Sequence, residues 1–159
     1  MIIQKSHRYI FCGLAIFAAV VSHSAIAADP IGKIKTLNGG ATITREGHPS
    51  PATVGTNVFQ ADTVTTAADG KVGMTFIDNS MMSLGPNSTL SLDKFRFDST
   101  TYEGEFGSSL KRGTLAAVSG RIAKQTPEAM RIQTPSAILG VRGTEFFVKV
   151  GDGGQTDAH

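Results

Sequence analysis

Side chains able to do chemistry are few and widely spaced in this sequence. Beyond residue 27 there are two histidines, His48 and His159, and no cysteine. A transition-metal site needs three or four His, Cys, Asp or Glu ligands in a fixed geometry, so no metal or other cofactor is expected. A nucleophilic triad needs a base within hydrogen-bond reach of a hydroxyl. Only His48 could serve, and no nucleophile-elbow sequence accompanies it. Acidic residues are numerous enough to leave a carboxylate pair open. Yet Asp62, Asp69, Asp78 and Asp98 fall at strand ends or turns, where a short carboxylate ordinarily accepts bonds from the backbone. The run Gly151-Asp152-Gly153-Gly154-Gln155-Thr156-Asp157 is a single Gly/Asp-rich turn. Calcium turns of that kind work in stacked copies, so residues 151–159 are read as a flexible tail. No catalytic residue is expected.

One charge stands apart. Arg142 lies between Gly140-Val141 and Gly143-Thr144 and is followed by Phe146-Phe147. It could offer its planar fork to an anionic ligand. It could instead bond turn carbonyls or an acid such as Asp78, because a buried charge left unpaired is costly. The structural role is the one expected, for Gly140, Arg142, Gly143 and Thr144 together, with the two glycines permitting a turn or a close approach of backbone. Met81 and Met82, if in a strand, must point to opposite faces, one into the core and one outward.

The elements that would position these residues are strands. Val72, Met74 and Phe76 alternate with Lys71, Gly73 and Thr75, and Leu90 and Leu92 alternate with Thr89, Ser91 and Asp93. Phe95 and Phe97 continue the pattern, Ala41–Arg45 follows it, and Ile31–Leu37 follows it imperfectly. Such period-two runs indicate half-buried strands. Breaks at Asn38-Gly39-Gly40, Ala68-Asp69-Gly70, Asp78-Asn79-Ser80 and Gly85-Pro86-Asn87 are turns. Only Ala123–Met130 suits a short helical turn. The expected class is all-β, with short strands in a solenoid-like or sandwich-like stack and no substantial helix.

The ends bound where the chain works. Lys5, His7 and Arg8 precede an uncharged apolar run, Tyr9–Val21, and then small residues ending Ala25-Ile26-Ala27. That is the order of a secretory signal peptide. The run is shorter than the roughly 20 residues a membrane span needs, and Cys12 lies inside it without a lipobox. Residues 1–27 are therefore expected to be removed, leaving a β domain over 28–150 and the tail. Lys5 and Arg8 are two of the 15 basic residues, so the remaining 13 balance the 13 acidic ones. A neutral chain has no electrostatic footprint for nucleic acid. No membrane-spanning segment is expected beyond residue 27, and the location expected is the periplasm.

The order of motifs is specific. Ile31-Gly32-Lys33-Ile34 opens it. Asp69-Gly70-Lys71-Val72-Gly73-Met74, Asp78-Asn79-Ser80-Met81-Met82-Ser83-Leu84-Gly85 and Leu110-Lys111-Arg112-Gly113-Thr114-Leu115 follow. Thr134-Pro135, then Val141-Arg142-Gly143-Thr144-Glu145-Phe146, closes it. Over about residues 31–150 the chain resembles the FecR domain family. The resemblance implies an all-β, solenoid-like extracytoplasmic domain. Family namesakes are inner-membrane regulators that sense outer-membrane transporters and control a sigma factor. This chain shows neither their anti-sigma region nor the transmembrane helix after it, so no sigma-factor contact is expected.

What is expected is a non-catalytic module that meets an envelope protein, with strand addition at an open sheet edge as one contact mode. A small-ligand or carbohydrate sensor is the alternative. It is weakened by the absence of Trp and by Tyr102 being the one tyrosine beyond residue 27. If the export reading is right, N-terminal sequencing of protein from a periplasmic fraction should start at Ala28. A start at Met1 would refute it.

Overall fold

A computed structural model describes residues 28–141, 145–151 and 153–159. Thirteen strands are found among them. In chain order they are β1 (Gly32–Asn38), β2 (Ala41–Arg45), β3 (His48–Pro51), β4 (Asn57–Val58), β5 (Thr63–Thr66), β6 (Lys71–Phe76) and β7 (Met81–Leu84). There follow β8 (Thr89–Phe97), β9 (Gly104–Val118), β10 (Met130–Gln133), β11 (Ile138–Gly140), β12 (Glu145–Val150) and β13 (Thr156–Ala158). Among the described residues helix is confined to α1 (Arg121–Gln125), which begins two residues before the stretch Ala123–Met130 expected to hold a helical turn, and one 3-10 turn, Pro127–Ala129, inside it. Pro127 ends α1 there, because proline cannot continue the hydrogen-bond ladder.

The strands form one continuous sheet that curls through β9, the longest strand. The first half of β9 pairs with β8 and, in parallel, with β10. Its second half pairs with β7 and β12, both antiparallel. One limb, called here the B limb, runs β3-β2-β5-β8-β9-β10-β11. The other, the A limb, runs β4-β1-β6-β7-β9-β12-β13. Side chains from both limbs meet in a single apolar core. Phe76 of the A limb packs edge-on against Phe106 of the B limb, ring centroids 4.7 Å apart, and Phe95 joins them. Every pairing but β9–β10 is antiparallel. The inner face of one curled, mostly antiparallel sheet therefore closes on the core from both limbs, as in a half-barrel, and the strands are not a coil of parallel rungs.

The loosely repeating sequence pattern has a structural reason. The chain passes back and forth between the limbs, and the turns are the corners. Gly39-Gly40 carries it from β1 to β2, Ala67–Gly70 from β5 to β6, and Gly85–Asn87 from β7 to β8. The imperfect alternation of β1 is a bulge. Ile34 pairs Met74 and Thr36 pairs Gly73, so Lys35 is the extra residue. The bulge returns Leu37 to the inner face opposite Val72. Met82 is buried and Met81 is exposed, as adjacent strand positions require.

The tail read as flexible is ordered in part. Thr156–Ala158 forms β13 against Val148–Val150, and the N–H of His159 donates to the carbonyl of Phe147 at 3.0 Å. Gly154, at φ 77, makes the reversal that lets the chain return on β12. The Gly-rich run is thus a hairpin turn.

Gly113 is where β9 bends from one limb to the other, at φ 89. A side chain there would overlap the Oγ and Cα of Ser88. Both the conformation and the space demand glycine. Gly113→Ala should lower unfolding free energy by about 1–3 kcal/mol. Gly140→Ala, at a position with open space around it, should stay within about 0.5 kcal/mol. Denaturant melts of the two variants test this, and equal effects would contradict it.

Candidate interaction surface

The outward residues of the A limb form rows across five strands. One row runs Lys33, Thr75, Met81, Val118 and Glu145, on β1, β6, β7, β9 and β12. The next runs Thr36, Gly73, Ser83, Ala116 and Phe147. His159 extends this second row through its two backbone bonds to Phe147. The sequence sets this face directly. Wherever an inward residue is a core apolar side chain (Val72, Met74, Met82, Leu84, Leu115, Ala117, Val148), its neighbour points out.

Several outward neighbours are small. Gly73, Ser83 and Ala116 lie side by side and make a low floor. Phe147, 41% exposed, and Met81, 46% exposed, rise beside it. A groove of about 500 Å³ results, lined by Met81, Ser83, Ala116, Val118, Glu145 and Phe147. It continues across Ser83 and Gly73 into a second hollow of about 370 Å³, which reaches Thr36 and Lys71. Two large apolar side chains on one face, over a floor that gives room, make a patch suited to docking. Methionine adapts its shape to what it meets. Phe146-Phe147 is the sequence signal for this, on the same adjacent-residue logic as Met81-Met82.

The sheet edges offer less. β3 carries Pro49 and Pro51, which cannot donate to an added strand. β4 has two residues, and β11 and β13 have three each. The expected strand-addition mode thus finds short or proline-blocked edges, and the broad open surface is the sheet face.

The residues singled out from sequence are dispersed. Gly140 ends β11, and among the described residues no atom beyond its chain neighbours lies within 4 Å of where a side chain would project. Arg142, Gly143 and Thr144 lie outside the described residues. Asp78, considered as a partner for Arg142, is buried. Its Oδ1 accepts bonds from the N–H and hydroxyl of Ser80, at 3.0 and 2.6 Å, and its Oδ2 has no hydrogen-bond partner among the described residues. His48 is exposed on β3, far along the sheet from His159 by strand order. Among the described residues no three His, Cys, Asp or Glu side chains converge in a way that could hold a metal ion.

Of the turn acids, Asp98 caps its own turn as its position implied, whereas Asp69 reaches across to the turn between β1 and β2. Asp69 accepts the N–H of Gly40. Asp98 accepts those of Thr100 and Thr101, and these bonds hold its carboxyl below the usual carboxylate range. Asp62 does more. It is fully buried and accepts the Nε and an Nη of Arg45, each at 2.8 Å, and the N–H of Phe59. The Arg45 guanidinium also lies 4.0 Å from the centroid of the Phe59 ring. Residue spacing carries no sign of this pair, whose members are on β2 and in the turn before β5. Tyr102, the one candidate for sugar stacking, is already engaged. Arg121 lies over its ring at 4.6 Å, and Phe97 stacks on it.

A family model described as FecR protein matches residues 62–158. The chain belongs to the FecR family. The match runs from the buried acid before β5 to the end of β13, so the C-terminal hairpin is part of the FecR domain. Most of the groove lies within it: Met81, Ser83, Ala116, Val118, Glu145 and Phe147. β1 to β4 precede the matched span, yet β1 is bonded into the A limb of the FecR sheet through β6. Neither a curated protein nor a solved structure matches the chain significantly. No helix among the described residues is long and apolar enough to cross a membrane.

If Phe147 serves the surface and not the core, Phe147→Ser should cost less than about 1 kcal/mol of stability. Phe106→Ala, at the fully buried ring between the limbs, should cost about 3–5 kcal/mol. Urea melts compare the two. A Phe147 loss as large as that of Phe106 would return it to the core.

Proposed function

We propose that this FecR-family protein is exported to the periplasm and works there as a non-catalytic binding module. It acts in envelope sensing or assembly by protein contact through the outer face of the A limb. The observation that carries this reading is the exposure of Met81 and Phe147 together, over the floor of Gly73, Ser83 and Ala116. A monomer that used no surface contact would gain nothing from holding two large apolar groups beside an open groove. The order of basic, apolar and small residues over 1–27 supports export.

Site-specific photo-crosslinking in intact cells tests the reading. A photoreactive residue at Ala116 or Ser83 should give a protein adduct, and one at Pro49 on the opposite limb's edge should not. Adding Phe147→Ser should remove the Ala116 adduct without altering the amount of folded protein. Adducts from Pro49 alone, or none from the groove, would overturn it.

A further inference from the structure

We propose that this face pairs with the same face of a second copy of the chain, through a two-fold axis over Met81. The proposal rests on the reading that this face is the contact surface, and it names the occupant. The row through Met81 has a cation at one end and an acid at the other: Lys33 on β1 and Glu145 on β12. Both are exposed, and neither has an ion-pair partner among the described residues. Met81 is the middle of the five strands, with β6 and β1 on one side and β9 and β12 on the other.

A two-fold axis at the middle strand reverses the row. It lays Lys33 against Glu145 of the copy and Glu145 against Lys33 of the copy, with methionine meeting methionine between them. Adjacent strands lie about 4.8 Å apart, so each charge stands about 10 Å from the axis, at the rim. Charge at the rim and apolar contact at the centre is the ordinary anatomy of a protein interface. A two-fold interface must be self-complementary, each patch meeting itself reversed. A row reading cation, neutral, apolar, apolar, acid satisfies that condition. A row with like charges at both ends would not.

One further feature fits. The chain beyond residue 27 is formally neutral, with 13 basic and 13 acidic residues among the 15 and 13 of the whole sequence. Two copies therefore approach without net repulsion.

Sedimentation equilibrium of the purified protein over a range of concentrations tests the pairing. The wild type should be in monomer–dimer equilibrium. Lys33→Glu and Glu145→Lys should each weaken association about tenfold or more. The double variant Lys33→Glu/Glu145→Lys should restore it, because the pairing is regained with its signs exchanged. Both positions are exposed, so the variants should fold, and circular dichroism verifies that they do. A wild type that stays monomeric up to about 1 mM, or a double variant no better than the singles, would overturn the proposal.

The two readings fail separately. A monomeric protein whose Ala116 adduct contains a different polypeptide refutes self-pairing and leaves the contact surface standing. A groove that gives no adduct removes both.

Discussion

The chain can cross between the two limbs of the sheet only where its backbone polar groups are satisfied at the crossing. Four crossings stack against one another on one side of the molecule. The carbonyl of Gly40 accepts the N–H of Ala67, and the carbonyl of Ala67 accepts the N–H of Asn87. Buried Thr66 ties the next pair, its hydroxyl donating to Gly85 O at 2.7 Å and accepting from Ser88 N–H at 2.9 Å. The Ser88 hydroxyl then accepts the N–H of Thr114 at 2.9 Å, beside the bend at Gly113. An unpaired backbone group buried at any of these places would cost about 1–3 kcal/mol. The column of corners therefore fixes how far apart the limbs sit, and with that the core between them and the flatness of the outer faces.

Elsewhere most buried polar side chains have partners close by, the exceptions among the described residues being Asp78 Oδ2 and Ser108 Oγ. Asp62 carries the clearest case, a carboxylate removed from water and met by both arms of one arginine. Coulomb attraction at 2.8 Å exceeds what a surface pair gains, since Asp62 has no water to screen it. Arg45 itself is about half exposed, 45%, so much of its charge remains hydrated and the pair's net contribution is smaller than for a fully buried one. Asp62 raises the affinity of the guanidinium for its proton, first through the hydrogen bonds and then through charge. The geometric effect is to clamp β2 to the turn before β5, and to hold the ring of Phe59 under the guanidinium.

The same constraint leaves a sheet face as the broad open surface. A curled sheet with its corners stacked leaves edges that are short or carry prolines, which suppresses uncontrolled strand addition. The A limb has no layer over its outer side among the described residues. Its alternate residues point into solvent, and where small residues adjoin Met81 and Phe147 the flat face becomes a groove. The family's closing segment builds one wall, since Glu145 and Phe147 are the first outward residues of β12. The C-terminal hairpin steadies that wall through the bonds of His159 to Phe147.

The amino-acid sequence alone determined the class of the fold and much of its local geometry. Period two in Val72-Met74-Phe76 and Leu90-Leu92 is a property of the strand itself, as is the opposition of Met81 and Met82. The turns at Gly39-Gly40, Asp69-Gly70 and Gly85–Asn87 follow from residue types that tolerate or impose particular φ values. The capping by Asp98 follows from a side chain short enough to reach its own turn. The closing motif was enough to place the chain beside the FecR family. All of these are decided within a few residues of chain.

What required the tertiary structure were relations between residues far apart in sequence. Periodicity marks which face a residue takes but is silent on which strand lies beside it, so the loose repetition that favoured a solenoid-like stack could not decide against a sandwich, and the pairing of β9 in both limbs does. Arg45 and Asp62 became a pair, and Gly73, Ser83 and Ala116 a floor, only through strand order and register. The last nine residues looked like a tail because glycine and aspartate mark turns and flexible ends alike. Only the ladder from Val148 to Ala158 decides that this run is a turn, since a strand is stabilised by the neighbour it bonds to and not by its own sequence.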